Sequence, residues 1–156
     1  MDIKIGLVPD LHTEFFDDLT DEELRSWFPD VDVVVLAGDC AKGDSLYDIS
    51  GRVTTLTDSE VVVVAGNHEF YHPDIYAQNK RYRELFQGHP RLHYTEKDRV
   101  DIARVTFLGT TLWSNFDAQG SAEYLSLRAV SGSAKRFLAY SDSRVRAYAH
   151  GNERAF

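Results

Sequence analysis

The chain has 156 residues, of which 43% are hydrophobic and 12% aromatic, which suits a single folded domain over residues 1–156 and excludes a disordered polypeptide. No apolar run approaches the roughly 20 residues that a membrane-spanning helix needs. The formal net charge of −8 argues against nonspecific nucleic-acid binding through a basic surface. It does not exclude a phosphate substrate, because bound metal ions can reverse the field locally.

The predicted elements alternate between apolar strands and helices. Thr20 and its acidic successors are typical of a helix start, and the valine runs are typical of strands covered on both faces. The predicted strands are residues 3–8, 31–37, 61–65, 92–94, 99–103 and 105–108, with the last two as a hairpin, and the predicted helices are 20–28, 44–56, 73–86, 122–138 and 144–156. This alternation predicts βαβ units and a mainly parallel sheet, which is an α/β fold.

Two features of the sequence indicate the cell compartment. The only cysteine, Cys40, cannot form an internal disulfide, which fits a reducing environment. Residues 1–5 lack the charged and apolar regions of a signal peptide and are typical of a strand that starts at once. We therefore expect a cytoplasmic protein with no membrane partner.

Each of the first three apolar strands is followed by a polar cluster. The clusters are Pro9-Asp10-Leu11-His12, Gly38-Asp39-Cys40 and Gly66-Asn67-His68-Glu69. Ligands of parallel sheets bind beyond the carboxyl ends of the strands, so these side chains are expected to converge in one crevice. Oxygen and imidazole ligands suit Mn²⁺, Fe, Zn²⁺ or Ni²⁺, and two such ions can hold a phosphoryl group between them.

A purely structural interpretation of these clusters is also open. An aspartate after a strand is commonly a turn former or a helix cap. Three clusters in succession favour a functional site, because convergent Asp and His side chains are costly to bury without a metal or a partner.

The motifs Asp10-Leu11-His12, Gly38-Asp39 and Gly66-Asn67-His68-Glu69 resemble the first three motifs of the calcineurin-like metallophosphoesterases. Residues 107–113 (FLGTTLW) are similar to a strand common in one bacterial and phage branch of that family, and Phe70-Tyr71 fits the same branch. The resemblance covers residues 3 to about 116 and implies the first half of the family's αββα sandwich.

The resemblance implies a role for each matching residue. Asp10 and His12 would bind a first metal, and Asp39 would bridge two metals. Asn67 would bind the second metal and contact the substrate phosphate, and His68 would be the general acid. One or two divalent ions are implied, drawn from Mn, Fe, Zn, Ni or Mg, with Mn favoured.

The family's later motifs are not found in this sequence. Its fourth motif is a histidine after a further strand, and its fifth is a Gly-His-x-His group. His150 is the only histidine after Trp113, has no apolar strand before it and is interpreted as a surface residue. We expect a C-terminally truncated domain, a chain completed by another subunit, or a degenerate relative. A missing half of the sheet would expose an apolar face or edge, which favours a homo-oligomer.

The leading hypothesis is a metal-dependent phosphoesterase that hydrolyses a phosphate mono- or diester with a metal-activated water. The alternatives are a catalytically degenerate protein that binds a phosphorylated ligand or a protein partner, and a structural subunit of an assembly. Asn115 is expected to line the substrate pocket. Cys40 is interpreted as a packing residue, and the basic patch of Lys80, Arg81 and Arg83 as a solvated helix face.

Overall fold

The computed structural model describes residues 2–71 and 73–112, which form a four-stranded parallel sheet, its connecting helices and a two-stranded hairpin. The parallel strands lie side by side in the order of the sequence. The elements are β1 (Ile5–Val8), α1 (Asp21–Ser26), β2 (Val33–Ala37), α2 (Ser45–Thr57), β3 (Glu60–Val64), α3 (Ile75–Phe86), β4 (Leu92–Tyr94), β5 (Asp98–Ile102) and β6 (Val105–Gly109). The predicted α/β class is confirmed.

β2 and β3 form the centre of the sheet and are buried on both faces. Val33 and Val34 are fully buried in β2, and Val61, Val62 and Val63 are buried in β3. Because successive side chains of a strand point to opposite faces, this burial means that both faces are covered there. β-branched side chains suit this position because they pack well on a pleated surface.

Caps fix where the chain enters its helices. Thr20 and Glu23 form a capping box at the start of α1, in which each side chain accepts a hydrogen bond from the other residue's backbone N–H. The Asp74 side chain caps α3 by accepting from the N–H groups of Tyr76 and Ala77. α1, α2 and α3 each connect two successive parallel strands, so every segment that leads from a strand into the next helix begins at the same edge of the sheet.

The ends of the elements differ from the predicted ones by a few residues. β1 begins at Ile5 rather than at residue 3, and the Lys4 N–H donates to the Asp32 carboxylate at 2.8 Å instead of to a strand. Two 3-10 turns, Thr13–Phe15 and His68–Phe70, were outside the prediction because three residues are too few for periodicity to reveal.

The later elements are partly confirmed. β5 and β6 form the predicted antiparallel hairpin. The helices predicted at 122–138 and 144–156 lie outside the described residues. No helix in the described part of the chain is both long enough and apolar enough to cross a membrane.

β1 is the end strand of the described sheet. Its side chains Ile5 and Leu7 are 44% and 65% exposed. Because these residues are two positions apart, they lie on the same face of the sheet, which is apolar and exposed at β1 in the described part of the chain.

Leu36 lies fully buried in β2, in the core between the sheet and its helices. Leu36→Ala should lower the free energy of unfolding by about 2–5 kcal/mol, because the truncation leaves a cavity. The matched control is Leu108→Ala, since Leu108 is 81% exposed on β6 and should change the value by at most about 0.5 kcal/mol. Urea titrations give both numbers, and equal losses would contradict the placement of Leu36.

Candidate metal centre

Three polar segments follow β1, β2 and β3 at the carboxyl edge of the sheet. Asp10 and Asp39 each lie two residues beyond their strands, and Asn67 lies three residues beyond β3. Because the strands are parallel and adjacent, the three segments meet at one edge.

Backbone hydrogen bonds fasten the first segment to the second. The bonds run from the N–H of Asp10 to the carbonyl of Gly38 (3.0 Å), from His12 to Asp39 (2.9 Å) and from Thr13 to Cys40 (2.9 Å). The Thr13 hydroxyl also donates to the Cys40 carbonyl at 3.1 Å. The pairing of β1 with β2 therefore continues past the ends of both strands and fixes their polar side chains relative to one another.

Three side chains in the described residues form a group that could hold a metal ion. His12, Asp39 and His68 each offer one ligand atom, and these atoms all lie within 4.8 Å of one another. The two imidazole rings meet edge to face with centroids 4.3 Å apart. Asp39 Oδ1 also accepts from the backbone N–H of His68 at 2.9 Å, which orients the carboxylate toward the third segment.

Asp10 and Asn67 lie at the margin of this group. Asp10 Oδ1 is 4.0 Å from His12 Nε2, and the Asp10 side chain is 70% exposed. The Asn67 amide nitrogen donates to the Tyr71 hydroxyl at 3.0 Å, which leaves the amide oxygen free to face a ligand. Asn115, the predicted substrate-pocket residue, lies outside the described residues.

Glu69 anchors the second and third segments through its buried carboxylate. The acceptors are Oε1 for the N–H groups of Cys40 (2.7 Å) and Ala41 (3.1 Å), and Oε2 for those of Asp39 (3.1 Å) and Gly66 (2.8 Å). Burial raises the pKa of Glu69, and the hydrogen bonds from the N–H groups of Ala41, Cys40 and Gly66 oppose that shift because they favour the charged form. Sequence reasoning assigned Glu69 only to a motif and missed this role.

Gly66 lets the second and third segments approach each other closely. A Cβ at Gly66 would lie 2.1 Å from Asp39 Oδ1 and 2.6 Å from the Asp39 nitrogen. Gly38, on the other side of the contact, has φ +90° and would place a Cβ 3.2 Å from the Gly66 backbone. The glycines before Asp39 and Asn67 thus provide the tight exit from each strand that the sequence predicts.

Three of the candidate ligands have a left-handed backbone. The φ angles are 53° for Asp10, 48° for His12 and 52° for Asp39. Such conformations cost a residue with a side chain of order 1–3 kcal/mol and cluster at functional sites. The close backbone pairing of the first two segments holds these residues in place.

Glu14 joins the two histidines and was also missed. It lies in the 3-10 turn after β1, and its Oε1 is 2.9 Å from His68 Nδ1, 3.4 Å from His12 Nδ1 and 3.7 Å from Lys42 Nζ. Burial disfavours ionisation, but the hydrogen bonds from the histidines and the charge of Lys42 outweigh it and hold the pKa of Glu14 below its usual value. The available signal was an acidic residue two positions after the histidine of the first motif.

The donor set fits a divalent cation. Imidazole nitrogens and carboxylate oxygens converge from three segments, and this mixture suits Mn, Fe, Zn and Ni. Glu14 Oε2 is buried and, among the described residues, has no hydrogen-bond partner. Because this acidic oxygen is buried without a donor beside two imidazoles, a cation bound nearby would be a favourable partner for its negative charge.

The surroundings of Cys40 and of the basic patch on α3 fit structural roles. Cys40 is fully buried, and burial raises the pKa of its thiol to about 12, which supports a packing role. In the basic patch on α3, Arg81 pairs with Asp44 at 3.1 Å and Arg83 with Asp98 at 3.3 Å, which supports a solvated helix face.

The fold and the site define an α/β protein with metal-ligand side chains at the carboxyl edge of a parallel sheet. The family model for calcineurin-like phosphoesterases matches residues 3–140, which is most of the chain. The chain therefore belongs to the calcineurin-like phosphoesterase family, as the motifs imply. Membership implies hydrolysis of phosphoric esters with divalent metals as a general property. No curated protein matches the chain.

Gly66→Ala should weaken metal binding because its Cβ would push Asp39 out of place. We expect the affinity for Mn²⁺, measured by titration calorimetry, to fall by about 10–100-fold, as is usual when the support of a ligand is disturbed. Gly51→Ala is the matched control, since no heavy atom lies within 4 Å of that Cβ in α2. The control should keep its affinity and gain about 0.4–1 kcal/mol of stability. Unchanged affinity in Gly66→Ala would refute the close-approach argument.

Proposed function

We propose that this protein is a metal-dependent phosphoesterase that hydrolyses a phosphate mono- or diester at the carboxyl edge of its sheet. The observation that carries the proposal is the convergence of His12, Asp39 and His68, with ligand atoms within 4.8 Å of one another, in a chain of the calcineurin-like phosphoesterase family. Phosphate esters are the substrate class that this membership supports.

The first segment would hold a first metal through Asp10 and His12. Asp39, in the second segment, would bridge to a second metal, which Asn67 would bind through its amide oxygen. The family relation favours one or two divalent ions, with Mn²⁺ as our choice. When bound, such ions lower the pKa of water and neutralise charge on a phosphoryl group.

His68 would supply a proton to the leaving oxygen of the ester. Its Nδ1 is engaged by Glu14 at 2.9 Å, so Nε2 is the nitrogen that remains for proton transfer. Asn67 would also contact the substrate phosphate, and Asn115 is proposed as a further contact. Lys42, 43% exposed at the margin of the site, adds positive charge in an otherwise acidic protein.

The cellular setting is proposed from the sequence and the exposed strand. We place the protein in the cytoplasm, as a single domain with no membrane partner and no role in nonspecific nucleic-acid binding. The apolar side of β1 supports a homo-oligomer or a complementing subunit, since exposed Ile5 and Leu7 gain from being covered.

Hydrolysis of bis(p-nitrophenyl) phosphate and of p-nitrophenyl phosphate with Mn²⁺ tests the proposal. His68→Ala should lower kcat by about 10²–10⁴-fold because it removes the proton donor. Asp39→Asn should abolish turnover because it removes the bridging charge.

The controls are matched in residue type and in backbone. Asp58 has φ 60° at the opposite edge of the sheet, close to the 52° of Asp39, and Asp58→Asn should leave the rate unchanged. His89→Ala, before β4 at that same edge, should also be silent. Binding of phosphate esters without turnover in the unmodified protein would replace the enzyme by the catalytically degenerate binding protein.

A further inference from the structure

Glu14 lies within the candidate metal centre but has none of the proposed metal-ligand roles. Its side chain is only 14% exposed, yet one oxygen faces His68 Nδ1 at 2.9 Å and His12 Nδ1 at 3.4 Å. The 3-10 turn that carries it is fixed, because the backbone N–H and the hydroxyl of Thr13 both donate to the Cys40 carbonyl. A single carboxylate oxygen therefore lies between the two imidazoles of the candidate centre.

The chemistry of a carboxylate decides which ring nitrogens carry protons. An ionised carboxylate can only accept hydrogen bonds, so each nitrogen that faces it must be an N–H. In a neutral imidazole the other nitrogen then has a free lone pair. For His12 and His68 alike, that nitrogen is Nε2.

We infer that Glu14 is a positioning residue, which holds His12 and His68 in the Nδ1–H form so that both Nε2 atoms are presented to the metal and substrate side of the site. The roles of the two Nε2 atoms rest on the proposed function, in which Nε2 of His12 would be the metal ligand and Nε2 of His68 the proton carrier. Histidines that bind metals are commonly oriented in this way by a carboxylate on the far nitrogen.

Two further contacts support a fixed arrangement. The Phe15 ring lies 5.5 Å from the His12 ring, and the Tyr71 ring lies 4.3 Å from the His68 ring, so each imidazole packs against an aromatic side chain. The second oxygen of Glu14 is buried without a hydrogen-bond partner among the described residues. A carboxylate kept only for stability would be expected to have both oxygens satisfied.

Nitrogen NMR of the imidazole rings in the metal-free protein tests the inference without any reaction. At a pH where the rings are neutral, the unmodified protein should show His12 and His68 protonated on Nδ1. In Glu14→Ala both signals should move toward the Nε2–H form, and the Mn²⁺ affinity should fall by about 10–100-fold. Glu14→Gln keeps the volume and should shift both readouts in the same direction by less, which covers the case in which the alanine variant does not fold.

The chain contains a matched control pair. His93 Nε2 lies 2.7 Å from Glu60 Oε2 in the strands β4 and β3, outside the candidate centre. Glu60→Ala should change the His93 signal alone and leave the Mn²⁺ affinity intact. Nε2 protonation of His12 and His68 in the unmodified protein, or unchanged tautomers or unchanged affinity in the Glu14 variants, would overturn the inference. A failure of ester hydrolysis with the expected tautomers would count against the proposed function alone.

Discussion

The hydrogen bonds to the buried carboxylate of Glu69 are the interactions on which the rest of the site depends. It accepts four backbone N–H groups, three from the segment after β2 and one from the segment after β3. Without that acceptor the buried N–H groups of Cys40 and Ala41 would each cost of order 1–3 kcal/mol, and the hydrogen bonds that join the two segments through Glu69 would be lost. Asp39 can lie against Gly66 and accept from the His68 N–H because that anchor brings the segments together.

Three acidic residues of the site have different roles. Glu69 holds backbone, Glu14 holds the histidine rings, and Asp39 remains available to a cation beside them. The backbone pairing between the segments after β1 and β2 keeps His12 in register with Asp39. The protein is acidic overall, yet at this edge the Glu69 and Asp39 carboxylates accept from different backbone N–H groups.

The sequence predicted the strands and helices well, but it did not predict the hydrogen bonds within the site. Valine runs and the Thr20 cap are local signals, and the strands and the helix that they predict are present within a few residues. The meeting of three polar segments followed from the parallel order of the strands. The roles of Glu69 and Glu14 could not be predicted, because their partners are 28–30 and 54 residues away for the decisive bonds and depend on side-chain direction. Asn115 stays a prediction, since it lies beyond the described residues.

The central claim is that the carboxyl edge of β1, β2 and β3 holds a divalent cation between His12 and Asp39. Anomalous scattering from Mn²⁺ in crystals of the protein tests it most directly. The account predicts the strongest peak within bonding distance of His12 Nε2 and the Asp39 carboxylate, with Glu14 on the far side of the imidazole. The strongest peak at another acidic position, or the absence of manganese from this edge at saturating concentration, would contradict it.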